Sequence, residues 1–194
     1  MKGRAMALDA EMFNKNLSEK LQPPYSHFIP IVRFYWHNVM KNIVKMLDTP
    51  KECLILDFGC GKEQYLKKYL PGYNIIGYDI VRKFSDVDDF RHLRPYAIVC
   101  SHVLEHLEEH ELLETIGFFK KMCPRVIITA QPTENLLARV CNFLWTAGYL
   151  KNDFRLKSHK LRINEIHEIL YSFLKLEDRK NIFTLTVISK WSIE

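Results

Sequence analysis

The stretch Leu54-Ile55-Leu56-Asp57-Phe58-Gly59-Cys60-Gly61 decides the fold. An apolar run that ends in an acid and two closely spaced glycines predicts a buried β-strand leading into a tight turn. A second apolar run, Asn74-Ile75-Ile76-Gly77-Tyr78-Asp79, also ends in an acid. Both runs predict parallel strands of an open α/β sheet, which binds nucleosides at its carboxyl edge. The glycines would let the backbone approach a ligand, and Asp79 would accept hydrogen bonds from ribose hydroxyls.

Composition predicts one soluble domain. The 194 residues are 47% hydrophobic, which is enough for a single core. No apolar run is long enough for a transmembrane helix, and the charged first residues lack the apolar segment of a signal peptide. The five cysteines are scattered and form no C-x-x-C pair. We therefore expect free thiols and a cytoplasmic location.

Hydrophobic periodicity predicts alternating strands and helices. Strands that are apolar on both faces indicate a mostly parallel central sheet, and two final strands indicate an antiparallel pair at its edge, joined by a turn at Lys180-Asn181. The predicted strands cover 52–57, 74–79, 96–100, 125–130, 176–179 and 183–190. The predicted helices cover 9–20, 31–47, 63–70, 107–122, 133–160 in large part, and 164–174. The segment 80–95 is too short for the usual further strand and helices.

Three segments resemble a known family. Asp57-Phe58-Gly59-Cys60-Gly61 is similar to the D/E-x-G-x-G signature of class I S-adenosylmethionine-dependent methyltransferases, and Asp79 matches the acid that ends their second strand. The segment 97–107 resembles the stretch after their fourth strand. The resemblance implies an α/β, Rossmann-like methyltransferase fold with helices on both faces, S-adenosyl-L-methionine as cofactor and S-adenosyl-L-homocysteine as product.

Glu63 stands where this family often has a third glycine. A carboxylate there suits a cationic sulfonium compound and would repel the pyrophosphate of a dinucleotide. Two alternatives stay open: a nucleotide site, and glycines that merely serve a tight turn.

The resemblance also implies roles for individual residues. Asp57 would bind the amino group of the methionine moiety, and Asp79 would hold the ribose diol. An acid after the second strand would contact the adenine amino group, with Phe90 or Ile80 stacked on the purine. Ser101 and His102 would lie near the methyl group. The full predicted cofactor set is Asp57, Phe58, Gly59, Cys60, Gly61, Tyr78, Asp79, Ile80, Asp88, Asp89, Ser101 and His102.

Three histidines are candidates for catalysis. Methyl transfer to an amine needs mainly positioning, whereas a hydroxyl acceptor also needs a base, for which histidine is suited near neutral pH. The candidates are His102, His106 and His159, although His106 would equally serve to order its loop.

A metal is the less favoured alternative. His102, Glu105, His106 and His159 offer ligand types that suit a divalent ion. They resemble the E-x-x-E-H arrangement of ubiquinone-pathway and small-RNA 2′-O-methyltransferases, with His102 in place of the first acid. The acids here are also what a helix N-terminus favours, so our main prediction is a site without metal.

The whole chain, 1–194, is interpreted as one methyltransferase domain. Its parts are an N-terminal helical cap (1–50), a cofactor-binding half (51–132), a lid-like insertion (133–160) and a C-terminal helix with a strand pair (161–194). The aromatic residues in and before the first long helix would mostly serve core packing, and the segment 23–27 is also a candidate for an N-terminal flap over the cofactor. The late segments are similar to those of small methyltransferases of glycan-synthesis clusters, whose insertion covers the acceptor. Basic residues form either a solvated loop or a rim for an anionic substrate; they are Lys151, Arg155, Lys157, Lys160 and Arg162.

These observations favour S-adenosylmethionine-dependent methyl transfer to oxygen or nitrogen of a small molecule or a glycan or lipid precursor. One rival is an RNA 2′-O-methyltransferase, with nucleic acid a permitted but not favoured partner. Another is a cofactor-binding partner protein without activity. The sequence predicts neither the acceptor atom nor the oligomeric state.

Overall fold

The computed structural model describes residues 24–27, 29–135, 138 and 159–193, and these form a six-stranded sheet flanked by helices. The strands are β1 (Ile55–Phe58), β2 (Ile75–Tyr78), β3 (Ala97–Ser101), β4 (Val126–Pro132), β5 (Lys175–Ile182) and β6 (Thr186–Ser192). Their order across the sheet is β2-β1-β3-β4-β6-β5. The first four strands pair in parallel, and β6 runs antiparallel to both β4 and β5. The predicted α/β fold with a mostly parallel sheet is confirmed.

The helices cover both faces of the sheet. They are α1 (Pro30–Leu47), α2 (Tyr65–Tyr69), α3 (Glu109–Met122) and α4 (Ile163–Tyr171), with 3-10 turns at Pro24–Ser26, Arg82–Phe84 and Leu104–His106. Helix α1 begins at a proline, whose missing N–H is tolerated in the first turn, and it is followed by Asp48 in the left-handed conformation (φ 40°). Within the described part of the chain, no helix is both long and apolar enough to cross a bilayer.

Each face of the sheet has its own apolar layer. Successive strand residues point to opposite faces, so Ile55 packs with α1 on one face and Leu56 packs with α3 and α4 on the other. Burial of one such side chain stabilises the fold by roughly 1.5–3 kcal/mol. Because both faces of the central strands are buried, these strands are continuous apolar runs in the sequence, and their positions were predicted correctly.

The turn between the last two strands was predicted wrongly. Lys180 and Asn181 lie inside β5, opposite Ile188 and Val187. The chain reverses at Phe183 and Thr184, which adopt positive φ angles of 51° and 60°. Pairing with β6 extends β5 past the asparagine, so the sheet overrides a local turn preference.

The shortened segment after β2 closes an open edge of the sheet. The Asp86 N–H donates to the Gly77 carbonyl at 2.8 Å, and the Gly77 N–H donates to Asp86 Oδ2 at 2.6 Å. Among the described residues no strand pairs on this side of β2. Asp86 instead forms hydrogen bonds with the free edge of the β2 backbone. This agrees with the predicted shortening at 80–95. The predicted helix 9–20 and most of 133–160 lie outside the described residues.

Candidate cofactor and acceptor site

Two carboxylates mark the carboxyl edge of β1 and β2. Asp57 is the third residue of β1 and is only 6% exposed. Asp79 directly follows β2, and its Oδ2 accepts from the Gly61 N–H at 2.9 Å while its Oδ1 accepts from the Val81 N–H at 2.8 Å. These bonds fix the Asp79 carboxylate beside the glycine turn. Each oxygen retains a lone pair for a further donor.

The electrostatics of this edge favour a cation. Burial raises the pKa of Asp57 to about 7; Lys67 acts in the opposite direction, while Asp79 and Asp86 raise it further. Burial also raises the pKa of Asp79, against the two backbone hydrogen bonds that it accepts. Lys67 is held at 2.5 Å by Asp86, so its charge is already shared. A bound ammonium or sulfonium group would stabilise the ionised form of Asp57.

The two glycines of the turn have different surroundings. Both have positive φ, 77° at Gly59 and 63° at Gly61. A Cβ on Gly59 would lie 2.2 Å from Cγ2 of Val103, whereas no heavy atom described lies within 4 Å of a Cβ on Gly61. The close approach at Gly59 is therefore to Val103 inside the protein. Gly61 is the glycine that borders open space.

The aromatic residues of the predicted cofactor set belong largely to the core. The Phe58 ring stacks on Tyr78 at 5.5 Å and contacts Phe90 edge-on at 5.1 Å. Phe90 is buried, so the alternative that it stacks on a purine would require it to leave the core. The Cys60 thiol donates to the Phe84 carbonyl, and burial raises the pKa of Cys60 to about 12, which keeps it neutral. Any ligand contact from Cys60 would thus come from its backbone.

The remaining predicted adenine contacts lie in the loop after β2. Ile80 is 54% exposed. Asp88 is paired with Arg82, and Asp89 accepts from Nε of Arg91 at 2.7 Å. Their roles toward adenine stay predictions.

His102 is held at the end of β3 by a network that sequence reasoning missed. Its backbone is left-handed (φ 56°), and its N–H donates to the Ala130 carbonyl at 2.8 Å. Its Nδ1 lies 3.2 Å from Ser101 Oγ, and its Nε2 lies 3.2 Å from Thr186 Oγ1. Tyr35 bonds the same threonine hydroxyl. To act as a base, His102 would have to exchange one of these partners for the acceptor.

Glu105, His106 and His159 form a compact cluster. One ligand atom from each lies within 4.8 Å of the other two, and the two imidazole rings are 5.1 Å apart. Glu105 is 2% exposed, and its Oε2 has no hydrogen-bond partner within the described chain. Burial raises the pKa of Glu105 to about 8. The structure thus unites three of the four residues of the metal alternative, while His102 points its ring to hydroxyl partners.

The segment before α1 packs against α1 and α2. Tyr25 and His27 are buried, and the Tyr25 ring centroid lies 3.8 Å from that of Tyr65 in α2. Burial raises the pKa of Tyr25, and the Asp57 charge contributes to that rise. Tyr25 thus packs in the apolar core with Trp36 and Tyr65, and the role of this segment as a flap stays a prediction.

The described basic residues of the late segment are ion-paired. Lys160 lies 3.0 Å from Glu108, and Arg162 lies 3.7 Å from Glu134. The other three basic residues of the predicted rim lie outside the described part. The described portion gives the rim no concentration of positive charge.

Fold and site together define a class I, Rossmann-like methyltransferase. A family model described as a methyltransferase domain matches residues 31–156, and the chain belongs to that family. This confirms the resemblance drawn from the sequence. No curated protein sequence matches the chain.

Solved structures share the fold at low sequence identity. Magnesium protoporphyrin IX methyltransferase (ChlM) from Synechocystis PCC 6803 with bound SAM is 14% identical, with a TM-score of 0.64 and coverage of 97% of each chain. The PH0226 protein from Pyrococcus horikoshii OT3 is 12% identical, with a TM-score of 0.62, over 94% of this chain and 99% of the other. N-methyltransferase NodS from Bradyrhizobium japonicum WM9 is 13% identical, with a TM-score of 0.59, over 82% and 96%.

Proposed function

We propose that this chain transfers the methyl group of S-adenosylmethionine to an oxygen or nitrogen atom of a small molecule or a glycan or lipid precursor. The observation that carries the proposal is the pair of carboxylates, Asp57 and Asp79, beside Gly61, which borders open space. The family match and two structures of one neighbour, ChlM, described with bound SAH and with bound SAM, support the choice of cofactor.

The residues present fit this cofactor. The molecule carries an ammonium group and a ribose diol, and its sulfonium makes the attached methyl group electrophilic. Asp57 would hold the ammonium group, because a cation relieves the raised pKa of this buried acid. Asp79 would accept from the ribose hydroxyls with the lone pairs that Gly61 and Val81 leave open.

Exposed apolar side chains support an acceptor with an apolar part. Phe34 and Phe183 are each more than half exposed, and their ring centroids lie 6.0 Å apart. Phe183 lies in the turn before Thr186, which pairs with Pro132 at the carboxyl end of β4. This aromatic pair therefore stands at the edge of the sheet where the cofactor is proposed to bind. Such a surface suits a lipid-linked or otherwise amphipathic precursor.

For a hydroxyl acceptor, His102 is the proposed base. It directly follows β3 at the same edge, and its imidazole is already hydrogen-bonded to hydroxyl groups. His106 and His159 are less favoured candidates for the base, since they belong to the Glu105 cluster. A single domain, a lid over 133–160 and a cytoplasmic location are parts of the same proposal.

A transfer assay tests the proposal. The full chain is incubated with methyl-labelled S-adenosylmethionine and with separate pools of amphipathic glycolipid precursors, small amines and RNA. We expect label in an organic-soluble or glycan product, and loss of that label with Asp57→Ala but not with the surface variant Asp178→Ala. Label in none of the pools, despite cofactor binding, would favour the partner protein without activity.

The RNA 2′-O-methyltransferase is a second candidate because the Glu105, His106 and His159 cluster resembles part of the E-x-x-E-H arrangement. It predicts label in RNA and RNA binding that falls steeply with salt. RNA affinity that is absent or insensitive to salt would exclude it.

A further inference from the structure

The Glu105 cluster contains a buried group that the proposed cofactor site does not use. The Glu105 side chain is almost fully buried, and its Oε2 has no hydrogen-bond partner among the described residues. An unpartnered buried polar atom is unfavourable by about 1–3 kcal/mol, and more for a charged one. Two imidazoles lie close enough to this carboxyl group for all three side chains to meet one ion.

The cluster is also firmly assembled by the backbone. The Glu105 carbonyl accepts from the Lys160 N–H at 2.7 Å and from the Leu161 N–H at 3.4 Å. The Lys160 ammonium lies 3.0 Å from Glu108. These contacts join the residues that follow His159 to the 3-10 turn that carries Glu105 and His106. His159 is thus held beside its two neighbours by the backbone of the next residues, and ligands fixed in this way favour metal binding.

We propose that Glu105, His106 and His159 bind one divalent transition-metal ion. A set of two imidazoles and one carboxylate suits Zn²⁺, Mn²⁺, Fe²⁺ or Co²⁺, whereas Mg²⁺ prefers oxygen ligands alone. Three protein ligands leave at least one position on the ion for an oxygen atom of another molecule.

His102 is excluded from the ligand set by its own partners. Its ring nitrogens face Ser101 and Thr186. The site therefore has one acid where the E-x-x-E-H arrangement has two, and it is correspondingly less suited to Mg²⁺. Glu105 follows His102 by three residues, so the open position on the ion belongs to the same stretch of chain as the proposed base. If the proposed function holds, this position selects acceptors that present a hydroxyl oxygen.

Metal titration of the full chain tests the site. Protein freed of metal by a chelator and dialysis is titrated with Co²⁺ and followed by visible absorption, and then with Zn²⁺, Mn²⁺ and Mg²⁺ by calorimetry. We expect one Co²⁺ per chain with intense bands of a four- or five-coordinate ion, and weaker binding of Mg²⁺ than of the others. The spectrum of aqueous Co²⁺ alone would overturn the proposal without any variant being needed.

Variants identify the ligands. His106→Ala, His159→Ala and the isosteric Glu105→Gln should each weaken Zn²⁺ binding at least tenfold, because even the loss of groups that only orient the ligands of a metal weakens binding by that factor. His110→Ala, an exposed histidine on α3, should not change it. Equal affinity in folded His106→Ala and the unaltered chain, judged by circular dichroism, would contradict the assignment.

Binding of S-adenosylhomocysteine in the same preparations separates the two proposals. Absent metal binding with intact S-adenosylhomocysteine binding removes only the metal site. Intact metal binding without S-adenosylhomocysteine binding removes the proposed function and leaves the metal site standing.

Discussion

The chemistry of the site depends most on Asp57. It lies on a central strand, and burial together with Asp79 and Asp86 keeps its carboxyl group partly protonated near neutral pH. Such a group is a poor contributor to stability and a good receptor for a cation. Stability and cofactor binding should therefore depend on pH in a way that reports this one side chain.

The first prediction concerns Asp57→Asn. The folded pKa, about 7, lies above the ordinary value of 3.8, so the folded state holds a proton that the unfolded chain loses. The stabilisation that this proton gives is complete below about pH 4 and is lost as pH rises to about 7. The unaltered chain should lose at least about 1.4 kcal/mol of unfolding free energy relative to Asp57→Asn across this range, the equivalent of one pKa unit.

Urea unfolding at several pH values measures the difference. Parallel stability profiles for the two proteins would contradict the raised pKa. In the same range, S-adenosylhomocysteine should release a proton on binding to the unaltered chain and not to Asp57→Asn. Calorimetry in two buffers of different ionisation enthalpy detects that proton.

The second prediction concerns the threonine that holds His102. Thr186→Val removes the hydroxyl that bonds His102 Nε2. Tyr35→Phe removes only the hydroxyl that bonds Thr186 and leaves the Thr186–His102 hydrogen bond in place. For a hydroxyl acceptor, we expect Thr186→Val to lower kcat at least several-fold with an unchanged dissociation constant for the cofactor. Tyr35→Phe should have a smaller effect. An unchanged kcat in Thr186→Val would show that the orientation of His102 does not matter.

At the scale of elements, the sequence predicted what depends on local apolar patterning. Strands β1, β3 and β4 are buried on both faces, so their composition reveals them. Strand β5 is mostly exposed and is extended by pairing with β6. The turn preference of Asn181 therefore led us to predict the end of β5 too early. Helix α2 begins only at Tyr65, after the left-handed Gln64, because the glycine turn continues through Glu63. The first boundary is set by strand pairing and the second by the conformation of the turn, and neither follows from hydrophobic periodicity.

The third prediction concerns the loop that protects the β2 edge. Asp86→Ala removes the acceptor of the Gly77 N–H and the partner of Lys67. We expect a loss of about 1–3 kcal/mol in unfolding free energy, since a backbone donor at a strand edge is left to water or unpaired. Amide exchange at Gly77 should accelerate. Asp89→Ala, in an exposed pair with Arg91, should change neither quantity, and an equal effect of both variants would contradict the role of Asp86.

The fourth prediction separates the two glycines. Gly59→Ala places a methyl group against Val103, whereas Gly61→Ala meets no described atom. Both carry a left-handed conformation that a Cβ disfavours by roughly 1–2 kcal/mol. We expect Gly59→Ala to lower stability more, with partial recovery in Gly59→Ala/Val103→Ala. Gly61→Ala should instead weaken S-adenosylhomocysteine binding more than it lowers stability. The reverse order in thermal unfolding and calorimetry would contradict the assignment.

At the scale of the whole molecule, one edge of the sheet gathers the candidate site from distant parts of the chain. The motif residues Asp57, Gly61 and Asp79 could be found in the sequence because they lie at or just after the carboxyl ends of two consecutive strands. Thr186 and Tyr35 could not, because only the antiparallel return of β6 and the packing of α1 bring them to His102. The sequence indicated the residues of the Glu105 cluster by their types. Only the structure shows that the ring nitrogens of His102 face other partners and not this cluster.

Calorimetric titration of the full chain with S-adenosylhomocysteine asks whether the glycine turn binds an adenosyl-sulfur compound between two aspartates. The unaltered chain should bind one equivalent, and Asp79→Ala should weaken that binding at least about tenfold, because charge-assisted hydrogen bonds to a diol are worth roughly 1.5–3 kcal/mol. Asp178→Ala, on the exposed outer strand β5, is the matched control and should bind normally. An unchanged dissociation constant in folded Asp79→Ala, or no binding by the unaltered chain, would contradict the proposed site.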